Sequence, residues 1–170
     1  MCIRIREHVI QHNLSCIDLA LHGGEPLLRK LQFFEEASTL AKTILSPICE
    51  LNIGVQTNAV LLSDEYLDVF YQHKIVVGVS LDGPIEVNDK FRIYKNGRGS
   101  YKKAIKGISK LSEGRNREIW GGLLAVIDVE SEPLYIYRQL SYPRQSRGFI
   151  YVSPSKGQKR DAPKGAGSHA

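Results

Sequence analysis

The chain has 170 residues, 42 % of them apolar and 24 % charged, with a formal net charge of +5. That is ordinary for a globular protein and long enough to bury a sizeable core as one domain. No apolar run approaches the ~20 residues that span a bilayer, and the opening Met1-Cys2-Ile3-Arg4-Ile5-Arg6-Glu7 is too densely charged for a signal peptide, so a cytoplasmic protein without a membrane partner is expected.

In chain order, residues 3–13 place Ile5, Val9 and Ile10 on one helical face, and residues 17–21 ("IDLAL") read as a strand. Residues 30–45 put Leu31, Phe34, Ala37, Ala41 and Ile44 at helical spacing, and residues 52–56 ("NIGVQ") form a second strand. Ser63 is placed to cap a third helix, with Asp64 and Glu65 in the first turn where the helix dipole favours acids. "KIVVGVSLDGP" supplies a third strand, and Ser100 is placed to cap a helix carrying Tyr101, Ala104, Ile105, Ile108 and Leu111. "EIWGGLLAVID" is a fourth strand, residues 133–141 a short helix, and 148–152 a weak fifth strand. Apolar strands alternating with helices in units of roughly 30 to 40 residues predict an α/β fold. Its mainly parallel sheet would be covered on both faces and wound either as an open sheet or as a barrel.

Residues 153–170 hold four cations against Asp161, so the tail carries +3 and the body only +2. Its Gly, Pro, Ser and Lys content predicts a disordered basic tail beyond a domain at 1–152. A solvated end outweighs a nucleic-acid partner there, because no aromatic residue accompanies the charge. Cys2, Cys16 and Cys49 lack any metal-finger spacing, and they read as small apolar residues with no metal site.

The early strands end in polar clusters: His22-Gly23-Gly24-Glu25-Pro26, Gln56-Thr57-Asn58, Ser80 with Asp82-Gly83-Pro84, and Asp128. Ligands of parallel α/β folds bind at the carboxyl ends of strands, so these clusters on one rim point to a site. Glycines admit a ligand close to the backbone, and a carboxylate there suits an ammonium group. Glu25 between Gly-Gly and Pro has no evident helix or strand role. For His22 a satisfied strand-end histidine is preferred over a ligand, Asp82-Gly83-Pro84 is equally well a plain turn, and Asn58 can be a simple turn residue.

"HGGEPLL", "QTNAVLLSDEYLDVF" and "VVGVSLDGPIEVNDKFRIYKNGRGSYKKAIKGI", in this order, closely resemble radical SAM peptide maturases with SPASM-type C-terminal regions. These include the anaerobic sulfatase-maturating enzymes and the FxsB/GrrM-like maturases of ribosomal peptides; "LLAVIDVESEPLYIYRQL" looks most like the latter. The resemblance covers about residues 1–150. It implies a partial (β/α) barrel, S-adenosylmethionine and a [4Fe-4S] cluster as cofactors, and hydrogen abstraction from a peptide or protein substrate. By this resemblance Gly23, Gly24 and Glu25 would hold the methionyl amino group. Ser80 and Arg92 would contact the methionyl carboxylate and ribose region, and Arg92 suits a carboxylate through its planar fork. Gln56, Thr57 and Asn58 would share that rim, while Asp82 would shape the loop or reach the ribose.

The chain departs from the family in lacking the Cys-x3-Cys-x2-Cys loop whose thiolates bind the cluster. It also lacks the remaining C-terminal region. These departures predict a fragment without the first barrel strand, with no catalytic residue of its own and no SAM cleavage alone. The alternative is a non-catalytic module that binds SAM or a peptide. The strand "IDLAL" would then be an unpaired edge open to self-association.

Overall fold

The computed structural model describes residues 1–127, 131–141 and 151–154. Helix α1 (Cys2–Gln11) leads into strand β1 (Cys16–Leu21), a 3-10 helix at Pro26–Leu28 and helix α2 (Leu31–Leu45). Strand β2 (Glu50–Thr57), helix α3 (Asp64–Gln72) and strand β3 (Ile75–Ser80) follow. Two helices, α4 (Ile85–Phe91) and α5 (Tyr101–Leu111), precede a 3-10 helix at Gly114–Ile119 and strand β4 (Trp120–Ile127). Helix α6 (Pro133–Ser141) and strand β5 (Tyr151–Pro154) complete the described elements.

The five strands pair in the order β1-β2-β3-β4-β5, every pair parallel. The order never reverses. Right-handed crossovers between consecutive parallel strands therefore set the intervening helices on the same face, which is the winding of a barrel and not of a doubly wound sheet. The expected α/β fold with a parallel sheet is observed, and the choice between open sheet and barrel falls to the barrel type. β1 lies at one edge, and β2 is its strand partner.

The core sits between the sheet and the helices. Ile53 and Val55 of β2 and Ile75, Val77 and Val79 of β3 point into it, and Phe34 of α2 meets Phe70 of α3 edge to face at 5.2 Å. Phe34 and Phe70 are wholly buried, and burying such a side chain contributes about 1.5–3 kcal/mol.

The other face of the sheet is not covered by the described residues. Burial alternates along β2 and β3, and Cys16, Asp18, Ala20 and Val76 on that second face are exposed. The expectation of strands covered on both faces is thus corrected: a singly wound sheet packs helices on one side only. Gly54, Gln56, Gly78 and Ser80 share this concave face, which is small and polar where the helical face is bulky and apolar.

Several local expectations also change. Along α1 the buried positions are Cys2 and Val9, with Ile5 half-buried, and Ile10 is exposed. Cys16 is exposed and Cys49 half-buried, so of the three cysteines only Cys2 behaves as a core residue. Ser63 and Ser100 occupy N-cap positions but make no side-chain cap. The Ser100 hydroxyl donates to the Arg92 carbonyl at 2.8 Å, and Asp89 instead accepts from the Tyr101 amide at 2.9 Å, opening α5. Helix α4, with Pro84 at its N-cap, directly follows the Asp82-Gly83-Pro84 segment, in a stretch for which the sequence reading named no element. The fifth strand, expected at 148–152, is described at Tyr151–Pro154, and residues 148–150 lie outside the described residues. Asp128 and residues 155–170, most of the expected tail, lie outside the described residues.

Candidate functional site

At the carboxyl ends of β1, β2 and β3 the concave face opens into a cavity of about 360 Å³. Gly23, Gly24 and Glu25 line it from the loop after β1, Gln56, Thr57 and Asn58 from the end of β2, Ser80 from β3, and Arg92 from the residue after α4. Eight of the nine expected site residues are therefore brought together. Asp82 is the exception: it is 6 % exposed and lies behind Arg92, outside the cavity wall.

Glu25 is held from three directions. Its Oε1 accepts from the Leu27 amide at 3.0 Å and from the Thr57 hydroxyl at 2.6 Å, and its Oε2 accepts from the Asn58 amide at 2.9 Å. The first of these bonds caps the 3-10 helix, so Glu25 has a local structural role after all. A carboxylate offers about four acceptor positions, and these donors leave acceptor capacity on Oε2. The loop is braced from behind by Tyr66 of α3, whose hydroxyl reaches the carbonyls of Leu27 and Arg29 at 3.1 and 2.8 Å.

Gly23 has φ +153°, a backbone region that favours glycine. No atom lies within 4 Å of where a Cβ would project at Gly23 or Gly24. Space beside this backbone is open, as an approaching ligand requires.

The floor of the site is another hydrogen-bonded unit. Gln56 Nε2 donates to Ser80 Oγ at 3.0 Å, and the Gln56 side chain crosses directly over Gly78. Because Ser80 Oγ accepts this bond, its own proton remains for an acceptor in the cavity. Asn58 Oδ1 accepts from the Val60 amide at 2.9 Å, an Asx turn that sets the loop after β2.

On the far wall Arg92 grips Asp82 with two parallel bonds, Nε to Oδ2 at 2.6 Å and Nη2 to Oδ1 at 2.8 Å. Asp82 Oδ1 also accepts from the Val126 amide of β4 at 3.0 Å. Both Asp82 oxygens are engaged, so Asp82 orients Arg92, whose side chain keeps 28 % of its surface exposed. This bidentate pairing fixes the plane of the guanidinium.

Three further residues line the cavity: Ala20, His22 and Leu124. His22 is exposed and has no hydrogen-bond partner among the described residues, unlike the satisfied histidine expected. Ala20 and His22 follow from the alternation Cys16, Asp18, Ala20, His22 along β1, a signal that a reading of the strand as wholly apolar conceals.

The arrangement suits a compact zwitterion: an acceptor at Glu25, a fixed cation at Arg92 and a hydroxyl donor at Ser80, around open glycine backbone. The cysteines do not suit a cluster. They stand on α1, on β1 and before β2, and among the described residues no group of three or more His, Cys, Asp or Glu is placed to hold a metal ion.

Comparison with known proteins gives the same direction. No family model matches the chain. The chain is 34 % identical over 134 residues to the serine-type anaerobic sulfatase-maturating enzyme of Bacteroides thetaiotaomicron, covering 78 % of this chain and 32 % of that protein. It is 31 % identical over 93 residues to the cysteine-type enzyme of Clostridium novyi, covering 55 % of this chain and 25 % of the other. Solved structures of the anaerobic sulfatase-maturating enzyme anSMEcpe, one with bound AdoMet and one with bound AdoMet and Kp18Cys peptide, superpose with TM-score 0.73 at 20 % identity. They cover 89 % of this chain and 41 % of theirs. The chain spans about a third of the length of the curated relatives it matches. By sequence and by fold, the chain is a relative of the anaerobic sulfatase-maturating enzymes and carries part of their radical SAM fold.

Proposed function

We propose that this chain provides the S-adenosylmethionine-binding rim of a radical SAM enzyme that modifies a peptide or protein. The observation that carries the reading is the Glu25 carboxylate. Three donors hold it at the cavity wall, and an acceptor position remains on Oε2. When bound, S-adenosylmethionine supplies a source of the radical that abstracts hydrogen. The chain's own residues bind and orient it. Glu25 accepts from the ammonium, Ser80 and Arg92 receive the carboxylate and ribose region, and Gly23 and Gly24 let the methionyl end lie against backbone. Gln56, Thr57 and Asn58 hold these groups in register.

Because the described cysteines do not fit a cluster, the chain by itself is proposed to bind SAM without cleaving it. Calorimetry on the full chain tests the binding: heat on adding SAM is expected, and Glu25→Ala is expected to remove it. No heat at millimolar SAM refutes the reading. Formation of 5′-deoxyadenosine by the chain alone, with reductant, iron and sulfide, refutes the claim that it is inactive alone.

The exposed edge of β1 supports a second element of the proposal, self-association by strand pairing. Light scattering at rising concentration is expected to show species larger than one chain; a monodisperse monomer throughout refutes it.

A further inference from the structure

Between Lys90 and Lys110 the sequence holds eight lysines and arginines and no aspartate or glutamate, in a chain whose total charge is only +5. These residues are not spread over the molecule. Arg92 stands at the cavity wall, and directly after it a hairpin closes through an Ile93–Gly99 bridge and a bond from the Tyr94 amide to the Arg98 carbonyl at 2.8 Å. The chain returns to Arg92 through Ser100 and enters α5. Lys95 and Arg98 at the hairpin tip and Lys102, Lys103 and Lys106 on α5 are all exposed. Lys103 lies 5.5 Å from the centre of the Tyr94 ring, which joins hairpin and helix into one surface.

Within this stretch Arg92 pairs with Asp82 and Lys110 with Asp64, but the cations of the hairpin tip and the start of α5 are given no carboxylate among the described residues. None of these five cations forms an ion pair among the described residues; Lys110, at the far end of α5, is the one on this helix that does, with Asp64. Lys102 and Lys103 stand in the first turn of α5, which contains no acid, so they oppose the helix dipole. The nearby carboxylates are committed elsewhere: Asp89 to the amide of Tyr101 and Glu86 to the hydroxyl of Tyr135. Uncompensated like charges beside a cavity attract an anionic partner and hasten its arrival.

We infer that the 93–99 hairpin and the start of α5 form a docking surface for an acidic segment of the peptide, next to the residue presented to the cavity. The inference rests on the peptide reading of the site and names the charge of its substrate. A nucleic-acid strand is the less fitting anion. Its bases need open aromatic faces, whereas Tyr94 and Tyr101 are half-buried, Lys103 stands over the Tyr94 ring, and Phe91 is the one exposed ring between residues 90 and 110.

Fluorescence anisotropy on the full chain tests this with two labelled peptides, alike except that the serine at the centre is flanked by glutamates in one and by glutamines in the other. The glutamate peptide is expected to bind about tenfold more tightly at low salt, a preference that added salt erases. Lys95→Glu with Arg98→Glu is expected to abolish the preference, and Lys95→Gln with Arg98→Gln to reduce it, with unchanged circular dichroism. Equal binding of the two peptides overturns the inference, as does tighter binding of a single-stranded oligonucleotide of matched charge. SAM calorimetry on the same samples separates the two readings. SAM heat without a charge preference removes the docking surface and leaves the cofactor site, and a charge preference without SAM heat does the reverse.

Discussion

The Thr57 hydroxyl donates to Glu25 across 2.6 Å, tying the last residue of β2 to the loop that follows β1. Thr57 is 2 % exposed and also accepts from the Ala59 amide at 3.1 Å, so one buried hydroxyl organises both loops of the site. Thr57→Val keeps the shape and removes both bonds. A hydrogen bond to a charged group contributes about 1.5–3 kcal/mol, and urea unfolding is expected to show a loss of that order. Calorimetry is expected to show weaker SAM binding in the same variant, because Glu25 loses one of its anchors.

Arg92→Met leaves the Asp82 carboxylate buried with the Val126 amide as its remaining donor among the described residues. Removing one partner of a fully buried pair costs about 3–5 kcal/mol, and the partial exposure of Arg92 sets the expectation below that range, at about 2–3 kcal/mol. Asp82→Asn with Arg92→Met removes the stranded charge and is expected to recover part of that loss in the same denaturation assay.

Gly107 lies inside α5, where alanine is favoured over glycine by about 1 kcal/mol on propensity alone. A Cβ there would run into the Ala59 carbonyl and side chain, in the loop beyond Asn58. Overpacking costs about 1–3 kcal/mol, so Gly107→Ala is expected to lower the melting temperature. A rise in melting temperature would mean that the helix and this loop do not touch in solution.

The Cys16 thiol is exposed, yet its pKa is raised, first by reduced hydration and then by the carboxylates of Glu50 and Asp18. A raised thiol pKa means less thiolate at a given pH, and the thiolate is the reactive form. Alkylation of Cys16 by iodoacetamide, followed by peptide mass spectrometry, is expected to be slower at pH 8 in the folded chain than in urea. The half-maximal rate is expected at a higher pH. Asp18→Asn should narrow the difference.

Much of the site was legible because a parallel sheet sends every strand's carboxyl end to one rim. Once "IDLAL", "NIGVQ" and "KIVVGVS" are strands, Glu25, Thr57 and Ser80 must be neighbours. What stayed hidden depends on contacts between distant residues. Asp82 reads equally well as turn or ligand until Arg92 and the Val126 amide take its oxygens. Ser100 has the composition of a cap, but its hydroxyl turns to Arg92 while Asp89 supplies the bond to the Tyr101 amide. The exposed concave face was missed for a different reason. Small residues such as Ala20, Gly54 and Gly78 look apolar in a strand pattern, although here they clear a floor for the site.

Asp82 also couples the rim to the sheet. The same carboxylate that clamps Arg92 holds the Val126 amide at the outgoing end of β4. A ligand anion that draws on Arg92 competes with Asp82 for it, and whatever loosens Asp82 slackens the tether on β4. Occupancy of the cavity should therefore register as a change in amide exchange at Val126, a reporter on the opposite side of the guanidinium from the ligand.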